Sequence, residues 1–486
     1  MACTTILVGK KASYDGSTMI ARTDDGHFDV KKTIVVNPED QKNEYTSVIG
    51  HRKVVLPDDP MRYTASPSVD PKNGIWAASG INAANVGMTA TETITTNPRV
   101  LGADPYVVYK AKTDTEEEQP GGLGEEDIVV LVLPYIHSAR EGVKRLGALL
   151  EEYGTYEANG IGFNDADEVW WLETIGGHHW MARKVKDEEY VIMPNRLGID
   201  YFDFDDAYGE QNNFMCSADL KEFTEKYHLD LNQGDRFNPR YAYGSHSDAD
   251  HVYNNPRGWY MGRYFNPNTH RWDGPDADFT PENDDIPWSM VPDKKITPED
   301  VKHILSSYYQ GTPYNPYQKA DDPRKGIYRP IGISRTGVTV LCQIRGDMPE
   351  ELQGIEWITY CSNAFNAMIP LYTNVTEMPK YISDVARDVS TENFYWASRL
   401  IGVLADANYG AAIQDVERYQ NTVAGEAHRI LNAYDAKMLE TKDMSLCAEA
   451  NEAICEMTKK ESTKVLNKLT LTASLHMKNG YSRADN

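Results

Sequence analysis

Cys3, in Met1-Ala2-Cys3-Thr4-Thr5-Ile6-Leu7-Val8-Gly9, can do two kinds of chemistry at once. A cysteine that becomes the first residue of a mature chain offers its thiol as nucleophile. Its own freed α-amino group, with an unperturbed pKa near ~8, can serve as base. Arg22 and Asp25 follow, three residues apart. An arginine beside a thiol favours the thiolate, and an aspartate can hold an ammonium through a charge-assisted hydrogen bond. The bland alternatives are a packed, inert thiol and a solvated turn. Other clusters carry less. His246-Ser247-Asp248-Ala249-Asp250-His251 has the composition of a metal site but no zinc spacing. Asp203, Asp205 and Asp206 lack the glycine and distal glutamate of a calcium loop. His178 and His179, adjacent in a predicted strand, should point to opposite faces and not act together. Walker, GxGxxG and GxSxG patterns do not occur.

The elements that must position these groups are legible in part. Thr4 to Val8 is β-branched and apolar, as in a buried strand. Ser13-Tyr14-Asp15-Gly16-Ser17 is a turn, and Thr18 to Ala21 resumes as a second strand ending at Arg22-Thr23-Asp24-Asp25-Gly26. This hairpin would bring Arg22 beside the Cys3 thiol. Further strands are predicted over 74–79, 87–94, 168–173 and 180–185, with a late pair over 337–344 and 355–360. The apolar stripe Ile136, Ala139, Val143, Leu146, Leu150 predicts a helix over 127–153. Asp127 would cap it, Gly154 would stop it, and Pro134 would kink it or mark a later start. Residues 201–293, rich in Asp, Asn, Pro, Gly and Tyr, read as long loops, which often shape binding sites. From Thr391 onward the periodicity is helical.

The 486 residues are 41% hydrophobic and 25% charged, ordinary for a globular protein with a large core. A formal net charge of -24 repels phosphate backbones and anionic lipid, so neither nucleic acid nor membrane is an expected partner. There is no run of ~18 apolar residues and no basic-then-apolar opening. The six cysteines, Cys3, Cys216, Cys342, Cys361, Cys447 and Cys455, are widely spaced, as in a reducing compartment. A cytoplasmic location is expected.

Four segments taken in order carry a resemblance: Cys3 to Gly9; Ile20-Ala21-Arg22-Thr23-Asp24-Asp25; Gly80-Ile81-Asn82-Ala83-Ala84-Asn85-Val86-Gly87-Met88; and Thr89-Ala90-Thr91-Glu92-Thr93. With Ala139 to Val143 and Met193-Pro194-Asn195, they resemble the C69 dipeptidases. These are N-terminal nucleophile (Ntn) hydrolases related to penicillin V acylase and bile salt hydrolase. The resemblance implies an α+β fold, an αββα four-layer sandwich over 1–385, with a helical segment over 386–486 packed on it. It implies dipeptide hydrolysis through a thioester, with no metal and no organic cofactor. A homo-oligomer is expected. Cys3 matches the nucleophile, and Arg22 and Asp25 the pair beside it. Asn82 matches a backbone oxyanion donor and Asn195 a side-chain one. Arg257 is the preferred match to a further active-site arginine, with Arg240 and Arg263 as alternatives. An N-acyl amide hydrolase, or a non-catalytic protein like the secernins, is the alternative reading. Ala2 departs from the family pattern: while it acylates the Cys3 nitrogen, that nitrogen is an amide and no base. A dipeptide also carries both an ammonium and a carboxylate, so its pocket should hold an acid and a base or helix terminus.

Overall fold

Five consecutive β-branched or apolar residues leave no polar face, and Thr4–Val8 forms a strand, β1, buried on both sides. The computed structural model describes residues 3–26 and 29–477. Met1 and Ala2, on which release of the Cys3 nitrogen turns, lie outside the described residues. β1 pairs antiparallel with β2 (Thr18–Asp24), Thr4 opposite Thr23 and Thr5 opposite Arg22. The second strand thus runs three residues past the predicted Ala21 and carries Arg22 inside the sheet.

Two antiparallel sheets make the centre of the molecule. Their strands, after β1 and β2, are β3 (Ser79–Ile81), β4 (Gly87–Thr89), β5 (Glu92–Thr93), β6 (Asn159–Asn164), β7 (Val169–Ile175) and β8 (His179–Val185). Next come β9 (Tyr190–Met193), β10 (Phe214–Cys216), β11 (Ser289–Met290), β12 (Val338–Ile344), β13 (Gly354–Tyr360) and β14 (Ile369–Tyr372). The first sheet has the order β11-β9-β1-β2-β12-β13-β14. The second has β10-β8-β7-β6-β4-β3, with β5 also on β6. The sheets face each other through β2 and β12 on one side and β4 and β6 on the other. Glycines allow the close approach: a Cβ on Gly87 would lie 2.9 Å from the Cβ of Cys342, and one on Gly162 2.9 Å from Leu7 Cδ2.

Helices cover the outer faces. α1 (Ala139–Tyr153) packs on β6, β7 and β8, where Gly142 and Gly147 make room for Phe163 and Trp180. The single helix predicted over 127–153 is broken in two. Pro134 sits in a 3-10 turn, Leu133–Tyr135, and the main helix starts anew with Ser138 as its N-cap. Asp127 makes no cap hydrogen bond; its Oδ1 accepts from the Tyr45 hydroxyl at 2.7 Å. Gly154, at φ +69°, ends the helix as expected. The strand predicted over 74–79 begins only at Ser79, since Trp76 and Ala78 take left-handed conformations. Within 201–293, read as loops, lie α2 (Asp248–Tyr253) and α3 (Asn255–Phe265). α3 is buried over most of its length, so it has no polar face and shows no amphipathic stripe. The histidine cluster resolves as the start of α2, with Ser247 and Asp250 in a capping box.

The last helices are α4 (Phe394–Ala407), α5 (Tyr409–Thr441) and α6 (Leu446–Leu475). α6 lies against β14, and one hydrophobic core runs continuously from Ile6 to Leu469. No helix among the described residues is long and apolar enough to cross a membrane.

Glu356, on β13 opposite Cys342, is completely buried between the sheets, with the Thr64 hydroxyl within reach and no hydrogen bond of ordinary length at either carboxylate oxygen. Burial pushes its carboxyl up to about 7. The folded state therefore holds this proton more tightly than the unfolded chain does. The stability this confers is full below pH ~4.5 and lost as pH rises through about 7. Glu356→Gln should raise the unfolding free energy by about 1–3 kcal/mol at pH 8. Urea denaturation should show that gain vanishing near pH 4.5.

Candidate active site

Cys3 stands one residue before β1, between two neighbouring strands. Continuing the register by a residue puts it opposite Asp24; continuing the β9 register past Met193 puts it opposite Asn195. Strand alternation sends Cys3, Thr5, Arg22 and Asp24 to one face of the sheet. There the Arg22 Nη2 donates to Cys3 Sγ at 2.9 Å, and its Nη1 to the Ala78 carbonyl at 3.1 Å. Arg22 also forms an ion pair with Glu125. Asp24 pairs with Lys31 at 2.7 Å. Cys3 Sγ and one oxygen each of Asp24 and Glu125 lie within 4.8 Å of one another. That trio has ligand types a metal could use, but Arg22 and Lys31 already donate to them, so the charges balance with two cations in place.

The thiol feels opposing forces. Burial pushes its pKa up to about 12; Arg22 pulls it down, while Glu125 and Asp24 push it further up. The thiol is therefore protonated at neutral pH.

The other face of β1 is organised by Arg257, on α3. Nε donates to the Tyr253 carbonyl at 2.8 Å. Nη1 donates to the Cys3 carbonyl at 2.6 Å and to Thr4 Oγ1 at 2.7 Å. Nη2 donates to Asn195 Oδ1 at 2.7 Å and to Asn254 Oδ1 at 2.8 Å. All five donors of a guanidinium are used, every acceptor is neutral, and the group is fully buried. Burial, then repulsion from Arg329, lowers its pKa to about 9, against the pull of Glu92.

Asn195, just past β9, is held at φ +49°. Its Oδ1 must be the acceptor facing Arg257, so its amide nitrogen is the donor; one hydrogen goes to the Thr93 carbonyl at 2.8 Å and one remains. Its backbone N–H donates to Glu92. Asp25 is fully buried and turns to other partners: Arg329 in an ion pair and Thr336 Oγ1 at 2.6 Å.

Residues 2–422 match the family described as Peptidase family C69. The chain belongs to that family. It is 49% identical to "Dipeptidase" of Bifidobacterium longum (strain NCC 2705), with 100% of both chains covered. It is 49% identical to "Probable dipeptidase A" of Streptococcus pyogenes serotype M3 (strain SSI-1), again over 100% of each. "Probable dipeptidase B" of Lactococcus lactis subsp. lactis (strain IL1403) is 44% identical over 98% of this chain and 97% of its own.

In this C69 chain the structure brings together Cys3, Arg22, Asn195 and Arg257. Of the alternative arginines, Arg240 donates to the carbonyls of Gly198, Asp284 and Ile286, and Arg263 pairs with Asp273. Asn82 departs from its expected use. Its backbone N–H donates to the Val86 carbonyl, and its amide to those of Leu133 and Ile136. No donor is left for a reacting oxygen; Asn82 pins the β3–β4 hairpin instead. His178 and His179 also differ from expectation: His178 precedes β8, and both ring Nδ1 atoms reach Asp104, at 3.0 and 2.7 Å. The sequence reading missed Glu92, Glu125 and Arg329 as charged neighbours of these residues. A charged residue amid the Thr and Ala of 89–93 was the available signal for Glu92. Arg329 shows none.

Arg257→Lys should lower the unfolding free energy by about 2–4 kcal/mol, since an ammonium cannot meet five fixed acceptors and leaves buried ones unpaired. Arg263→Lys, at a partly exposed pair, should change it by less than about 0.5 kcal/mol in the same urea titration.

Proposed function

We propose that this C69 chain is a cysteine-type dipeptidase with Cys3 as nucleophile, built on an Ntn-hydrolase αββα sandwich. Family membership and relatives printed as dipeptidases support the substrate class. Two facing antiparallel sheets with helices outside them support the architecture. The observation that carries the mechanism is the Arg22 guanidinium 2.9 Å from Cys3 Sγ, with Arg257 holding the Cys3 carbonyl from behind and fixing Asn195 through the same guanidinium.

Once Ala2 is gone, the neutral α-amine of Cys3 takes the thiol proton, directly or through a water. Arg22 stabilises the thiolate, and the Asp24 and Glu125 carboxylates near Sγ stabilise the new ammonium. The thiolate attacks the scissile carbonyl carbon. The free hydrogen of the Asn195 amide donates to the developing oxyanion, an interaction of this type being worth about 3 kcal/mol. The carbon–nitrogen bond breaks as the ammonium returns its proton to the leaving amino group. Water, deprotonated by the same amine, then hydrolyses the thioester, releasing the acid and restoring the thiol. Arg257 acts through Cys3 and Asn195, so it is a positioning residue. With base and nucleophile on one residue, the reaction calls on neither a metal nor an organic cofactor.

Cys3→Ala should keep the native circular dichroism and lower kcat/KM for a free dipeptide by at least about 10⁴-fold. Near-normal turnover in that variant removes Cys3 from the mechanism. Active protein should have an intact mass lacking Met1 and Ala2. Activity should survive EDTA dialysis within about twofold; strong loss would indicate a metallopeptidase.

A further inference from the structure

Buried polar atoms in folded proteins are almost always hydrogen-bonded, so each exception needs a reason. Two exceptions of opposite charge attach to the network around Cys3. Glu92 is fully buried; its Oε1 accepts the Asn195 N–H, and its Oε2 makes no hydrogen bond of ordinary length. Its carboxyl lies within reach of the Thr5 hydroxyl, which is on the face that carries the Cys3 thiol. Arg329 uses Nη2 on Asp25 and lies within reach of the Tyr253 hydroxyl, while its Nε and Nη1, both buried, make no hydrogen bond of ordinary length. Arg22, Arg240 and Arg345 each leave only Nε unpaired, so Arg329 stands out among the described residues.

The surroundings of Arg329 favour an anion. Arg257 and Arg329 lie 5.2 and 5.1 Å from the Tyr253 ring centre, which puts the two guanidinium carbons within about 10 Å of each other. Arg335 donates to the Tyr253 hydroxyl at 2.8 Å. Three cations thus converge on one tyrosine, and Asp25 is the carboxylate paired with them. Glu92 connects to Arg257 through Asn195.

We propose that Glu92 receives the substrate's free ammonium and Arg329 its free carboxylate, so that the site selects a molecule with both charges and one peptide bond between them. This rests on the dipeptidase reading above. In a dipeptide the ammonium nitrogen is about 2.5 Å from the scissile carbonyl carbon, and the carboxylate carbon at most about 4 Å from it. Receptors for both ends must therefore lie close around Cys3, one on each side. A longer peptide places an amide where one charge is needed and leaves Glu92 Oε2 or the Arg329 N–H groups unpaired, which is a strong basis for rejection.

The test compares kcat/KM for Ala-Ala, N-acetyl-Ala-Ala and Ala-Ala amide in the processed enzyme and in Glu92→Gln, Arg329→Gln and Arg329→Lys. Wild type should prefer the free dipeptide over either blocked form by about 10- to 100-fold or more. Glu92→Gln keeps the acceptor for Asn195 but should bring the free and N-acetylated forms within about threefold, with the amide still disfavoured. Arg329→Gln should do the reverse. Arg329→Lys retains the charge opposite Asp25 and should keep the fold, by thermal unfolding, with the preference over the amide reduced. Discrimination ratios equal to wild type in Glu92→Gln and in both Arg329 variants would overturn the proposal while leaving the dipeptidase reading intact. A processed wild type that cleaves none of the three would overturn that reading instead.

Discussion

A guanidinium with no water and no carboxylate against it is stable only if all five of its hydrogens find acceptors, and Arg257 meets that condition. The acceptors come from four places in the chain: the residues opening β1, the loop after β9, the end of α2 and the turn into α3. None of these could shift alone without stranding a buried charge. The position of the Cys3 carbonyl, the rotamer of Asn195 and the mutual placement of α2 and α3 are therefore one arrangement. Ordinary neutral hydrogen bonds contribute about 1 kcal/mol each; what makes this cluster decisive is the larger cost of breaking it in part.

On the other face of β1 the balance is electrostatic. Arg22 is shared between the thiol and Glu125, and Lys31 neutralises Asp24. The carboxylates oppose thiolate formation just as Arg22 favours it, and burial tips the outcome toward the thiol. A thiol held in this way stays protonated at neutral pH. That arrangement protects a cysteine from oxidation, because the reactive species is the thiolate.

What could be read in advance follows the range of the interactions. β1 and β2 came from local composition, and with them the meeting of Arg22 and Cys3, because a hairpin joins residues close in sequence. The C-terminal helices showed their period. Pro134 and Gly154 signalled a break and a stop by backbone chemistry alone. Arg257 was preferred over Arg240 and Arg263 through family likeness, and only packing separates the three: nothing local tells a guanidinium that reaches β1 from one that ties loop carbonyls together. Glu92 was hidden for the same reason, since its partner Asn195 arrives from the other sheet. Asn82 shows the opposite failure. Its motif was visible, but an asparagine beside a tight hairpin has its own backbone to satisfy, and those bonds took every donor.

The anchoring of Cys3 bears on how an N-terminal nucleophile could be made. Its carbonyl is held by Arg257, its thiol by Arg22, and the next N–H, that of Thr4, donates to Thr23 Oγ1 at 3.0 Å. A chain end is normally the part of a protein that frays, and immobilising it costs conformational entropy, roughly 1–2 kcal/mol per residue. Here that cost is already met by the folded strand before any bond to Cys3 is cut. Removing the residues ahead of it would expose a terminus that is rigid from the moment it forms, with no folding step separating maturation from readiness.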